Sequence, residues 1–359
     1  MWPSVFDAGA QISFGHQSFR WSNQARGNAG VSCVVVGLCA GDRPPRNVLY
    51  NDGIQRTVKS ISPYLAEGPP GLIVRPRRSP LADVPHMAIG SKPVDGGHLM
   101  LSDGEVASLV ASSPAVEQMI RRYGGAREAI SGSWRACLWI ADDELELVSI
   151  VPEIARRLER VRAFRAVSTS SATRSFADQP HRFVHRAHKD TSAILVPEVS
   201  SERREYVPID FVGHDTVISN KAYAIYDAEP WLFGLLHSRM HMTWARAVGG
   251  RMKTDISYSA GLVYNTFPAS EITDDQRATL TTAAVAVLAA REQFSGQTLA
   301  ELYDPDNMPP VLRSAHRDLD DAVDALYQSK PFDSDARRLE LLFGMYEAAT
   351  RQEPKTTDA

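Results

Sequence analysis

A lysine and an aspartate two positions apart, Lys253 and Asp255, follow Arg251 directly behind a Gly249–Gly250 pair. An ammonium donates hydrogen bonds and a carboxylate accepts them, so the segment is a charged loop that a preceding helix could aim at a ligand. The two residues equally have the chemistry of a local surface ion pair worth well under ~1 kcal/mol. Other site chemistries find less support. His181, His185 and His188 cluster in HRFVHRAH, but no cysteine or carboxylate falls at a complementary spacing and the flanking arginines repel a cation. His237 and His241 are four apart, yet Ser238 stands where an HExxH motif needs Glu. No serine sits in a nucleophile-elbow glycine pattern. Cys33, Cys39 and Cys137 form no CxxC pair, which speaks against a disulfide framework or a cysteine zinc site.

The elements that must position the charged segment are legible as periodicities. From Trp231 to Val248 apolar residues cover almost the whole helical circumference, which predicts one helix packed on all sides and closed by Gly249–Gly250 at its C′ position. SYSAGLVYNTFP alternates like a half-buried strand and stops at Pro268. AILVP, EYVPI and DTVIS read as short strands around SSERRE. VPEIARRLERVRAFRAVS predicts a helix with Ile154, Leu158 and Val161 on its docking face and Arg156 and Arg160 on its outer face. ISFGHQSFRW and VSCVVVGL are strand-like runs, the second apolar on both faces as in an α/β sheet. Residues 41–80, rich in Pro, Gly and Arg, read as linker and loop, with Arg75, Arg77 and Arg78 solvated or on phosphate. In GEVASLVASSPAVEQMIRRY helical spacing is interrupted at Pro114, and GAREAISGSWRACLWI ends strand-like. After Pro268 three helices are predicted. The first opens on a Thr273/Gln276 capping box, the second follows Pro309–Pro310, and the third runs from Ser334.

Charge is unevenly distributed along a chain whose net charge is −4. Between Arg156 and Lys189 nine basic residues face two acids, whereas residues 271–359 hold nine basic and seventeen acidic ones. Such a layout suits a protein that meets phosphate with one part only. The longest apolar run, at 31–40, is half of what a membrane span needs, and the N-terminus lacks a basic n-region, so the chain reads as cytoplasmic.

The string SRMHMTWARAVGGRMKTDISYSAGLVYNTFP resembles the target-recognition region of the MmeI-like (type IIL, a branch of type IIG) restriction–modification enzymes, which are SAM-dependent adenine DNA methyltransferases. GSKPVDGGHLMLSD, LVPEVSSERREYVPI, ISNKAYAIYDAEPW and LYDPDNMPPVLRSAHRDLDDAVDALYQSKPF extend the resemblance over nearly the whole chain. It implies an α/β remnant, the last strands of a methyltransferase sheet with a linker, over 1–75. An α+β target-recognition domain would follow over 76–270, a small all-α domain over 271–352 and a disordered tail over 353–359.

Carried residue by residue, the resemblance implies base reading by Glu198, Asn220, Lys253 and Asp255. Asn bonds adenine through both edges, and Glu or Asp accepts from cytosine. It places Phe19 and Trp21 near a swung-out adenine, where an aromatic face would stack on the base; a core role under the hairpin is the alternative. Arg156, Arg160, Arg203, Arg204 and Arg251 are the expected phosphate contacts, with a plain solvated face as the alternative for the first two. The family's methyl-donor and Asn-Pro-Pro-Tyr/Phe motifs lie upstream of anything present, so no catalytic residue, metal or bound S-adenosylmethionine is expected of this chain alone. The expected partners are duplex DNA and a separate N-terminal methyltransferase half, with or without a nuclease, whose complete enzyme uses S-adenosylmethionine. A self-sufficient DNA-binding module and a truncated non-functional product are the alternatives.

Overall fold

The computed structural model describes residues 2–21, 31–51 and 53–351, so the tail expected at 353–359 lies outside it. The fold is mixed α/β, with three four-stranded sheets, one three-stranded sheet and a helical layer among the described residues. In the first sheet Ala10–Trp21 is flanked by antiparallel Val31–Ala40 and parallel Val48–Asn51, with Ile54–Thr57 beyond. Two strands therefore interrupt what its composition marked as linker. The run VLYN is short, and the proline-rich turns on either side mask it. Leu49 packs with Ile12, Val58, Ile61 and Leu65 beneath this sheet.

A second sheet orders Thr216–Ile218, Ile120–Gly124, Arg135–Leu138 and Met100–Leu101. The helix Pro152–Ala166 covers it, burying Ile154, Leu158 and Val161 as their spacing requires. Asp103–Ser112 carries a Ser102/Glu105 capping box, and Pro114 opens a 3-10 turn where helical spacing is lost. Arg165, on the docking side of Pro152–Ala166, is fully buried. Its guanidinium donates to five backbone carbonyls: Pro93, Val94, Phe176, Gln179 and Arg182, at 2.7–3.1 Å. One cation thus closes the loop 176–182 onto the segment before residue 95.

The third sheet orders Asp210–Val212, Ala193–Pro197, Ala222–Tyr226 and Ala88–Ile89. The strand expected at 205–209 is absent. Pro208 has no ladder donor, and Tyr206, Val207 and Ile209 are buried from a loop, so burial rather than pairing produced the pattern.

The rod expected over 231–248 is two helices, Pro230–Leu236 and Arg239–Val248. At the break the Ser238 hydroxyl accepts from His241 N and donates to Leu235 O at 2.7 Å, an N-cap that local hydrogen bonding favours over continuation. Gly249 ends the second helix in extended conformation (φ −60, ψ 149) rather than left-handed. Glycine is needed there because a Cβ would lie 2.4 Å from the Ala245 carbonyl. The strand expected up to Pro268 runs only over Asp255–Ser257 and gives way to a π-helical turn at Ala260–Tyr264. Val263, Tyr264 and Phe267 anchor that turn in the core.

Asp274–Glu292, Pro310–Asp324 and Asp335–Arg351 form as their stripes predict, the first with its Thr273/Gln276 capping box. A four-residue helix, Leu299–Leu302, lies between the first two. These helices do not keep a core to themselves: Leu280, Ala284, Leu312, Leu319 and Phe343 share one with Ile194, Phe233 and Trp244. Where the rod breaks, buried polar groups join the two layers. Arg291 Nη2 lies 3.1 Å from His237 Nδ1, and its Nε donates to the Tyr303 hydroxyl at 2.8 Å. That hydroxyl is 2.9 Å from His316 Nε2. Tyr206 stacks on His316 at 4.0 Å and donates to Asp320 at 2.7 Å.

Candidate nucleic-acid interface

The pair of glycines after Arg239–Val248 lets the chain turn at once into a hairpin, Gly250–Met252 against Asp255–Ser257, with Met252 opposite Asp255. Val199–Ser200 pairs on the other side of Asp255–Ser257, making a three-stranded ribbon. Ile256 is its inward anchor, buried to 1% exposure, so Asp255 and its cross-strand partner Met252 project from the opposite face. Met252 is 57% exposed, an apolar side chain presented beside the carboxylate.

Lys253 occupies the hairpin tip, exposed, with φ 58. A two-residue hairpin loop demands a positive φ at its first central position, and here a lysine in place of the usual glycine or asparagine supplies it. Among the described residues no ion pair joins Lys253 to Asp255, so the local surface pair that their spacing permits is not made. Asp255 instead acts on the half-buried guanidinium of Arg204, whose charge burial disfavours and the carboxylate supports.

The other two expected readers sit at the near end of the third sheet. Ala222 pairs with Pro197, so continuing that antiparallel register brings Lys221 and Asn220 alongside Glu198 and Val199. The Glu198 carbonyl accepts from Tyr258 N at 2.8 Å, which joins this end to the ribbon. The Asn220 backbone donates to Ser91 O at 3.0 Å, and its side chain is half-buried. Strand register thus relates Asn220 to Glu198 and Val199, while Glu198 lies at the Tyr258 end of the ribbon, away from the hairpin tip that carries Lys253.

The expected phosphate contacts divide. Arg156 and Arg160 are exposed on Pro152–Ala166, Arg156 within 2.8 Å of Glu153 and Arg160 without an ionic partner among the described residues. Arg203 pairs with Asp306 at 2.5 Å, both well exposed, an arrangement that a phosphate can displace at little cost. Arg204 is half-buried and faces Asp255, which fits it less well to a phosphate. Arg251 is exposed and donates to Arg246 O at 2.9 Å. The basic run is also less available than its count implies. Arg165 is internal, Arg157 is tied to Glu105 and Glu153, Arg182 to Asp142, and Lys189 to Asp227. Composition missed two stacked cations, Arg122 over Trp134 at 3.8 Å and Arg186 over Trp139 at 4.2 Å. Each pair joins residues far apart in the chain, so sequence carries no signal of which ring an arginine covers.

Phe19 is half-buried in its strand, edge-on to His16 at 4.8 Å, and the Trp21 side chain lies outside the described residues. None of the histidines expected to be structural gathers into a metal site among the described residues. His181 Nε2 donates to the Asp142 carboxylate at 2.9 Å, and His237 and His241 are core residues. No helix among the described residues is long and apolar enough to cross a membrane.

A polar hairpin thus follows a buried helix, and the end of the neighbouring sheet adds two further polar side chains. Residues 69–271 match the family "MmeI, target recognition domain", residues 272–352 "MmeI, C-terminal domain", and residues 1–51 "MmeI, DNA-methyltransferase domain". The chain belongs to the MmeI family. It is 40% identical over 352 residues to DNA methyltransferase A of Bacillus subtilis (strain 168), a match covering 98% of this chain and 40% of that protein. The solved structure of the type IIL restriction-modification enzyme MmeI in complex with DNA matches with a TM-score of 0.82 at 36% identity, covering 98% of this chain and 47% of that one. The chain thus spans less than half the length of either relative.

Proposed function

We propose that this chain reads the sequence of duplex DNA as the recognition part of an adenine-specific DNA methyltransferase of the type IIL class. The observation that carries the reading is the hairpin: Lys253 exposed at a left-handed tip, and Asp255 unpaired with it on the outer face. Lys253 then donates to guanine and Asp255 accepts from cytosine, with Glu198 and Asn220 reading neighbouring positions. Arg156, Arg160, Arg203 and Arg251 hold the phosphates; Arg204 serves the hairpin instead. The similarity to a DNA complex of MmeI at 36% identity supports the same assignment.

Selection from a randomised duplex library tests it. Exchanging the two residues, Lys253→Asp with Asp255→Lys, should change the preferred base at one or two positions, with a discrimination of about 1–3 kcal/mol. Non-specific affinity and its steep salt dependence should stay as in the wild type. An exchange that weakens every sequence alike would show that the hairpin does not read.

The methyl donor does not fit the residues present. The segment matched to the methyltransferase domain offers two long strands and a short helix, Trp2–Asp7, with no glycine-rich turn leading from strand to helix among its described residues. Recognition, not transfer, is what these residues perform, and S-adenosylmethionine belongs to the complete enzyme. The strand Val31–Ala40 lies at a sheet edge with Val34, Val35 and Leu38 about half exposed, which suits a further methyltransferase layer better than water. Co-expression with a methyltransferase half carrying the donor and Asn-Pro-Pro-aromatic motifs is expected to raise the soluble yield and to co-purify. A monodisperse chain that ignores such a half would argue for a self-sufficient binding module.

A further inference from the structure

Beneath the hairpin one residue joins the segments that converge on Asp255. Arg246 stands in the last turn of Arg239–Val248 and is half-buried. Its Nη2 donates to the Arg204 carbonyl at 2.7 Å, and its own carbonyl accepts from Arg251 Nη2 at 2.9 Å. Its side chain therefore fixes the turn that carries Arg204, and its main chain fixes the strand Gly250–Met252. These are the two segments on either side of the Asp255 carboxylate. Arg246 also lines a cleft of about 300 Å³ together with Tyr206, Arg239 and Thr243. Base edges discriminate only when donors and acceptors are held to within a fraction of an ångström, and such groups need a rigid support.

We infer that Arg246 is a positioning residue for sequence discrimination: it sets the separation between the Arg204 turn and the Asp255 hairpin without itself touching DNA. The inference rests on the hairpin being the reading surface. In the full chain, Arg246→Met should lower the affinity ratio between the library-selected duplex and a scrambled duplex of equal length by about tenfold or more, the scale of a lost charge-assisted bond. Affinity for the scrambled duplex and the salt slope should be unchanged. Arg246→Lys, whose Nζ keeps a donor toward the Arg204 carbonyl, should recover most of the ratio. A phosphate contact would behave differently, weakening both duplexes alike and reducing the salt slope, and that result overturns the inference. So does a wild-type ratio in Arg246→Met. If that variant does not fold, Arg246→Gln takes its place under the same two readings. The Lys253/Asp255 exchange separates the two claims: an unchanged base preference there defeats the hairpin reading itself, whereas a changed preference with an indifferent Arg246 defeats only this one.

Discussion

Arg165→Met is expected to destabilise the fold by about 3–5 kcal/mol in denaturant unfolding. Methionine fills the space but supplies no donor. The five carbonyls that the guanidinium satisfies would be left in a site with 0% exposure. Leaving a buried acceptor unpaired costs more than the bond contributed, which places the effect at the upper end for one side chain. Arg165→Lys should fall between, since an ammonium offers three donors without the planar fork. A loss under ~1 kcal/mol for the methionine variant would mean that the loop 176–182 is held by something else.

Acidification should unfold the protein earlier than carboxylate protonation alone would. His237 and His316 are completely buried, and burial together with Arg291 pushes both well below the ordinary imidazole range; burial pushes His241 down to about 3. In the unfolded chain these rings take up protons near pH 6.5, and in the native state they do not. The unfolded state therefore binds more protons, and stability falls as pH falls below about 6.5. Asp320 works the other way: burial raises it to about 6, so the native state keeps a proton that the unfolded state has released, and stability is gained as pH falls through 6. Burial raises Asp210 as well, in the same sense. Three histidines against these two carboxylates leave a net loss of stability between pH 6.5 and 5.5. His241→Gln, which can keep the bond to the Tyr258 hydroxyl seen at 2.9 Å, should remove about 1 kcal/mol of that loss. A stability flat from pH 7 to 5 would mean that the rings are hydrated in solution.

Helices with one apolar stripe were legible because their burial is one-sided. Ile154, Leu158 and Val161 face inward, and so do Leu280, Ala284 and Val287, since a 3.6-residue period leaves no alternative face. The segment 231–248 was apolar all round, and there periodicity has nothing to say about continuity; a single hydroxyl, Ser238, decided the break. EYVPI and SYSAGLVYNTFP failed for a related reason, because loops and π-turns that plunge into a core alternate as strands do. The charged hairpin was visible as chemistry, but its setting was not. Arg246, which links it to the Arg204 turn, looks in sequence like one more surface cation. Arg165 and Arg291 were invisible for the same reason, since what keeps an arginine inside is a set of carbonyls and rings contributed from far along the chain.

The common interior of the recognition sheet and the acidic helices bears on how specificity can be transplanted between relatives. Gly234 is a point of close approach: a Cβ there would come within 3.0 Å of Leu319 Cδ1 and 3.2 Å of the Ala284 methyl, so those neighbours would have to give by a few tenths of an ångström. A graft that stops at residue 271 would set that surface against a stranger's helices, mismatched at their closest approach. Donor segments cut after Asp335–Arg351 travel with their own counterpart surface, so chimeras joined there should inherit the donor's sequence preference while those joined earlier inherit a fault line.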